Sequence, residues 1–224
     1  MGGTRTTRRP WVSRRAARVQ MPIIPTVAGW IEETPGTISL GQGVVGFGPP
    51  PAALREIPGF LRRVPHNRYI PDAGLPELRK AFEEKLRAEN GIDAPHERRI
   101  LVTAGANQAF LNAALVLCDP GDEVILLSPY YFNHEMAIAL AGARPVCVPT
   151  DEAFQPRLSA IEAAITRKTR AIVTVSPNNP AGVVYPRETL AAVNRLCGER
   201  RIHHVSDEAY EYFTWEGATH YSPG

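Results

Sequence analysis

Four short stretches of the chain carry residue types whose chemistry goes beyond packing. Gly105-Ala106-Asn107 sets small residues at the start of an apolar, helical run. Free N–H groups and the helix dipole at such a start suit a phosphate, and an ordinary N-cap by Asn107 accounts for the same residues. Pro129-Tyr130-Tyr131 places aromatics after a rigid proline, where a ring presents its face to a planar ligand or packs into a core. Asn178-Asn179-Pro180-Ala181-Gly182 is the kind of turn expected after any buried strand, but two adjacent side-chain amides can also donate to a phenolate-like oxygen. Asp207 follows the run Ile202–Ser206. If buried, its carboxylate needs a cationic partner such as a protonated ring nitrogen, with the hydroxyl of Tyr210 nearby; if exposed, it is a solvated turn residue. No GxGxxG or P-loop spacing is present, which argues against a nucleotide.

The elements that must position these residues follow from hydrophobic periodicity. Residues 22–33 read as a short helix, and the Gly/Pro-rich passage from Pro35 to Pro51 as loop. Residues 75–89 read as an amphipathic helix with Leu75, Leu78, Phe82 and Leu86 on one face and Lys80 and Lys85 off it. Strands are expected at Arg99–Thr103, Glu123–Leu127, Pro145–Pro149, Ala171–Ser176 and Ile202–Ser206. Helices are expected at Asn107–Leu117, Phe132–Ala141, Leu158–Ile165 and Arg187–Arg200, the first of them apolar on most sides and so deeply buried. This alternation predicts an α/β fold with a mostly parallel sheet and helices on both faces. Ligands of such sheets lie beyond the carboxyl ends of the strands, where all four stretches fall.

Taken together, a phosphate cradle, a flat aromatic, an amide donor and a carboxylate for a protonated ring nitrogen describe one ligand, pyridoxal 5′-phosphate (PLP). From about Ala17 onward the chain resembles the class I/II aminotransferases of PLP fold type I. The resemblance rests on Ile38-Ser39-Leu40-Gly41-Gln42-Gly43, Tyr69-Ile70-Pro71-Asp72-Ala73-Gly74-Leu75-Pro76-Glu77-Leu78-Arg79, Thr103-Ala104-Gly105-Ala106-Asn107-Gln108-Ala109, Ser176–Gly182 and Ser206-Asp207-Glu208-Ala209-Tyr210. Ala181 stands where the family usually has Thr. The resemblance implies that Gly105, Ala106 and Asn107 hold the phosphate through N–H groups and that Tyr131 stacks on the ring. It implies that Asn179 and Tyr210 bind the ring's O3′, and that Asp207 pairs with the pyridine nitrogen. It further implies that Gly43 lies by the substrate α-carboxylate and that Tyr69 reaches the phosphate of a partner subunit in a homodimer. A cis Asn179–Pro180 peptide is expected on the same ground.

The resemblance also implies a transaminase passing an amino group from an amino acid to a 2-oxo acid. Its Schiff-base lysine follows the Asp-x-x-Tyr motif by a few tens of residues, and the only lysines here are Lys80, Lys85 and Lys168. No catalytic residue is therefore assigned, and the chain is expected to be a truncated, inactive family member covering about the first half. Two alternatives stand beside this reading: another fold-type-I PLP enzyme such as a lyase or decarboxylase, and a non-catalytic fragment that keeps a PLP cleft or a dimerisation surface.

Composition sets the outer bounds. The chain has 224 residues, 44% hydrophobic and 21% charged, a globular balance. Its net charge of +2 gives no case for nucleic acid, and no apolar run is long enough for a membrane span. Residues 1–20 hold six arginines and no acid, so the rest of the chain carries −4. This basic start fits an organelle transit peptide, but a flexible tail or a start codon placed too early is the plainer reading. Cys118, Cys147 and Cys197 lack zinc or redox spacing and are expected as small core hydrophobes in a reducing, cytoplasmic setting. No metal site is expected from the scattered histidines. The domain reading is a basic extension over 1–20, an arm or small-domain segment over 21–50, and a PLP-binding large domain over 51–224 cut short on its C-terminal side.

Overall fold

The computed structural model describes residues 11–39, 43, 45–93 and 100–224. Among them are α1 (Ile24–Glu32), α2 (Pro51–Arg62), α3 (Pro76–Glu89), α4 (Ala106–Leu117), β1 (Glu123–Ser128), α5 (Phe132–Ala141), β2 (Arg144–Pro149), α6 (Leu158–Ala164), β3 (Thr169–Val175), α7 (Arg187–Arg200) and β4 (His203–Asp207). They fall into two compact units. The larger takes in the described residues of Met1–Gln20, Lys85–Pro95 and Thr103–Gly224, and the smaller those of Met21–Glu84 and His96–Val102.

In the larger unit the short apolar runs make a four-stranded sheet in the order β2-β1-β3-β4, with every pairing parallel. Side chains of a strand alternate between faces, so β1 feeds two cores. Ile125 and Leu127 join Val148, Ile172, Ile161 of α6 and Leu190, Val193 and Leu196 of α7. Val124 and Leu126 join Ala171, Val173, Phe110 of α4 and Ala137 and Ile138 of α5. The two faces follow from chain order. The step from β1 to β2 moves one way along the sheet and carries α5; the steps to β3 and then β4 move the other way and carry α6 and α7. With crossovers of one hand, reversing direction puts the helices on opposite faces and leaves a crevice where the order reverses, between β1 and β3.

Three expectations need correction here. The expected strand over Arg99–Thr103 is not formed at its described residues, 100–103. The Val102 N–H instead donates to the Ala73 carbonyl at 3.0 Å, and Arg79 Nε donates to the Ile100 carbonyl at 2.8 Å. Helix α4 is not deeply buried all round: Phe110 and Ala114 face the core, but Leu115 and Val116 are 52% and 83% exposed. Cys147 is exposed rather than core, because β2 is an edge strand, whereas Cys118 and Cys197 are buried.

The smaller unit holds α1, α2 and the first turns of α3. Helix α2 is not expected from sequence: Leu54, Ile57 and Leu61 keep helical spacing, but Pro58-Gly59 within it reads as a helix breaker. Gly74 adopts φ +101°, and a Cβ there would stand 2.7 Å from Val102 Cγ2, so this turn requires glycine on two counts.

Candidate functional site

Four loops leave the carboxyl ends of β1, β3 and β4 and the N-terminus of α4, and they meet in one cleft of about 190 Å³. It is lined by Ala104–Asn107, Tyr131, Val175, Asn179, Asp207, Ala209 and Tyr210. Six of the residues singled out from sequence that lie in this unit converge there with Gly105. Gly43 and Tyr69 belong to the smaller unit, where both are exposed.

The phosphate end is built by a glycine. Gly105 takes φ +82° and ψ 168°, a region open essentially to glycine alone, and turns the chain into α4. Helix α4 has no side-chain N-cap, so Asn107 does not cap its own helix. Gln108 Oε1 accepts from the Ala104 N–H at 2.6 Å, and the Gly105 N–H donates to the Thr103 carbonyl at 2.8 Å. The N–H groups of Ala106 and Asn107 have no protein acceptor among the described residues. Two open donors at the positive end of a helix dipole form an anion seat.

The other end is set by a carboxylate. Asp207 ends β4, in register with Val175, and its side chain is only 14% exposed. Oδ1 accepts from the Ala209 N–H at 3.1 Å, and Oδ2 lies 2.9 Å from Nε2 of His134. Burial pushes this carboxyl up, but the bonds from His134 and Ala209 and the His134 charge outweigh it, leaving Asp207 below its ordinary value. A carboxylate held ionised at the wall of a cleft is the group that keeps a ring nitrogen protonated.

His134 is the residue that sequence reasoning missed. It sits on α5, 2% exposed, against the ring of Phe110 (centroids 4.1 Å) and the edge of Tyr131 (5.4 Å). Its Nδ1 is buried without a protein partner among the described residues. In sequence it is one histidine on an apolar helix, and only its place three residues after Tyr131, in the first turn of α5, aims it at the end of β4.

The adjacent asparagines divide. Asn178, 7% exposed, is fully engaged: its Nδ2 donates to Tyr185 Oη at 3.0 Å, and its Oδ1 accepts from the Ala181 N–H at 2.9 Å. Its own N–H donates to the Val183 carbonyl at 2.8 Å. Asn179 makes no side-chain bond among the described residues and faces the cleft. The Asn179–Pro180 peptide is cis, as expected, and so are Ser128–Pro129 and Ser176–Pro177. Tyr131 accepts from Asn133 Nδ2 at 2.7 Å, which fixes the phenol beside the cleft. Of the lysines in this unit, neither lines the cleft. Lys168 precedes β3 at the opposite end of the sheet. Lys85, off the apolar face of its helix, is bound to Glu211.

The family model for aminotransferase class I and II matches residues 35–223. A probable aspartate/prephenate aminotransferase of Thermus aquaticus is 47% identical over 159 residues, which is 70% of this chain and 41% of that protein. An aromatic aminotransferase of Arabidopsis thaliana, ISS1, is 36% identical over 214 residues, 93% of this chain and 54% of that one. Among solved structures, a double mutant of Thermus thermophilus aspartate aminotransferase superposes with a TM-score of 0.85 at 38% identity, covering 96% of this chain and 57% of that one. The chain thus spans about half the length of the curated relatives it matches.

Proposed function

The chain belongs to the aminotransferase class I and II family, and we propose that its cleft binds PLP and serves amino-group transfer from an amino acid to a 2-oxo acid. The observation that carries this reading is the pairing of opposites in one cleft: an ionised, nearly buried Asp207 on one wall and two open N–H groups at the start of α4 on another. Between them lies room flanked by Tyr131, Asn179 and Tyr210. These residues fit the cofactor. When bound, PLP supplies an electron sink for negative charge developing at the substrate Cα.

The chain's own residues do the rest. Ala106 and Asn107 bind the phosphate through their N–H groups, with Gly105 shaping the turn that opens them. Asp207, steadied by His134, holds a proton on the ring nitrogen. Asn179 donates to the ring oxygen O3′, joined by Tyr210, and Tyr131 covers one ring face. Gly43 is assigned to the substrate carboxylate, and Tyr69 to the phosphate of a partner subunit in a homodimer. On this reading residues 51–224 form the cofactor-binding domain, 21–50 the arm and 1–20 a basic extension, in a cytoplasmic enzyme. The described residues contain no helix long and apolar enough to cross a membrane.

Titration of the purified chain with PLP, followed by cofactor fluorescence, tests the proposal. Saturable binding that weakens in Asp207→Ala and Asn179→Ala is expected. Borohydride treatment is expected to leave Lys85 and Lys168 unmodified, because neither lines the cleft. Binding indifferent to both substitutions would remove the assignment of this cleft.

A further inference from the structure

After β4 the chain has little backbone structure to hold it. Residues 208–213 form tight turns, closed by Glu211 N–H to the Glu208 carbonyl (3.0 Å) and Phe213 N–H to the Tyr210 carbonyl (2.8 Å). Yet this segment carries Tyr210 and supplies the Ala209 N–H that holds Asp207.

Two carboxylates of the segment point away from the cleft into a polar network. Glu211 receives Lys85 Nζ at 2.6 and 2.5 Å and Asn90 Nδ2 at 3.0 Å. Lys85 and Glu211 are 22% and 19% exposed, so water screens this pair only partly. Burial pushes Glu211 up, but the bonds from Asn90 and Lys85 and the charge of Lys85 outweigh it and hold it ionised. Glu208 receives the Ser222 hydroxyl at 2.5 Å and the Ser206 hydroxyl at 2.8 Å, and it lies 3.1 Å from His220 Nε2. Asn90 joins the two arms, since its Nδ2 also donates to Ser222 Oγ at 2.8 Å. Ligating atoms of Glu208, Glu211 and His220 lie within 4.8 Å of one another, an arrangement that invites a cation, and the Lys85 ammonium supplies that positive charge.

We infer that Lys85 and Asn90, through Glu211 and Glu208, act as positioning residues that fix the Asp207–Tyr210 segment at the cleft. Neither Lys85 nor Asn90 lines the cleft, while the two carboxylates adjoin cleft residues in sequence: Glu208 follows Asp207, and Glu211 follows Tyr210. The carboxylates bind to the end of α3 and to Ser222, elements that are not themselves part of the cleft. Cutting the Lys85 arm leaves an ionised Glu211 without its cation in a partly buried place, and the turn must move to hydrate it. The inference rests on the PLP reading for its functional meaning, while the positioning of Asp207 is readable without cofactor.

The test compares the full chain with Lys85→Met, Glu211→Gln, Lys85→Arg and Asp207→Asn. Three measurements are made: amide exchange, the ring 15N shifts of His134, and PLP titration. In Lys85→Met and Glu211→Gln the amides of residues 208–213 should exchange about tenfold faster, while those of β1 keep their wild-type rates. The His134 shifts should move toward those of Asp207→Asn. PLP half-saturation should rise about tenfold, the effect of one lost charge-assisted bond. Lys85→Arg, which keeps the cation, should restore all three. Wild-type exchange and shifts in Lys85→Met would overturn the inference. So would faster exchange with unchanged PLP half-saturation, provided Asp207→Asn binds PLP less tightly than wild type. A wild-type chain that fails to bind PLP would sink the functional reading alone, since the His134 shifts still decide whether Lys85 positions Asp207.

Discussion

Replacing His204 with glutamine removes a titrating group from the strand that ends in Asp207. His204 Nε2 lies 2.8 Å from Oγ1 of the fully buried Thr174, across the β3–β4 pair. Burial pushes the imidazole down to about 4 from an ordinary 6.5, against a smaller opposing pull from Glu208. His204 is therefore neutral in the folded protein at pH 7, and the unfolded chain takes up its proton first as pH falls. Its contribution to stability is complete above the unfolded value of 6.5 and is lost as pH falls toward the folded value of about 4. Integrating between pH 7 and pH 5 gives a loss of about 2 kcal/mol, within a ceiling of about 3 kcal/mol for the whole shift. The carboxyls held low in the fold, Asp122, Glu123, Asp207 and Glu211, give up stability only below their ordinary values and cancel in the comparison. Urea unfolding at pH 7, 6 and 5 of the wild type and of His204→Gln measures the difference. Glutamine still offers Thr174 a partner and does not titrate. The wild type should lose about 2 kcal/mol more than the variant between pH 7 and 5. Parallel profiles would refute the claim that the partly buried His204 stays neutral in the folded protein.

Asp207→Asn keeps the shape of the cleft wall but removes the charge, and PLP affinity should fall about 10- to 100-fold, read by fluorescence titration. Gly105→Ala meets no atom within 4 Å, so its cost is backbone strain alone: about 1–3 kcal/mol in urea unfolding, with weaker PLP binding. Glu123 is 4% exposed and accepts from Arg144 Nη2 at 2.5 Å and from the Thr166 hydroxyl at 2.7 Å. Glu123→Gln should destabilise by about 1–2 kcal/mol at pH 7, less than for a fully buried pair because Arg144 is exposed. The side-chain bond from Thr166, chiefly, holds Glu123 below 4.5, so the deficit should vanish as pH falls through and below that value, as followed by chemical unfolding at pH 7 and 3.

The alternation of strands and helices was legible because parallel strands covered on both faces read as short unbroken apolar runs. Glu123–Leu127 and Ala171–Ser176 differ from β1 and β3 only at their ends. The convergence of Asn179, Asp207 and Tyr131 followed from the rule that such sheets place ligands at one end. What sequence did not disclose depends on long-range pairing. His134 meets Asp207 across 73 positions, and Lys85 meets Glu211 across 126. In its own helix each is unremarked, one among the scattered histidines and one a lysine off the apolar face. Helix α2 was hidden by Pro58 inside it, and the apolar run at residues 100–103 met no neighbouring strand among the described residues.

Asn178 and Asn179 share a side-chain type and a peptide bond, and they differ in what a substitution at each would reveal. Asn179 lines the cleft, so losing its amide removes one donor and leaves the loop standing. Asn178 ties Tyr185 and the Ala181 N–H into the turn beneath, so losing its amide loosens the platform that holds its neighbour. The set of positions at which mutation abolishes binding is thus wider than the set that touches the ligand. A survey scored on binding alone would report both asparagines as contacts. Repeated across temperature it would part them: a missing donor weakens binding by a similar factor throughout, whereas a loosened platform fails more steeply as the protein warms.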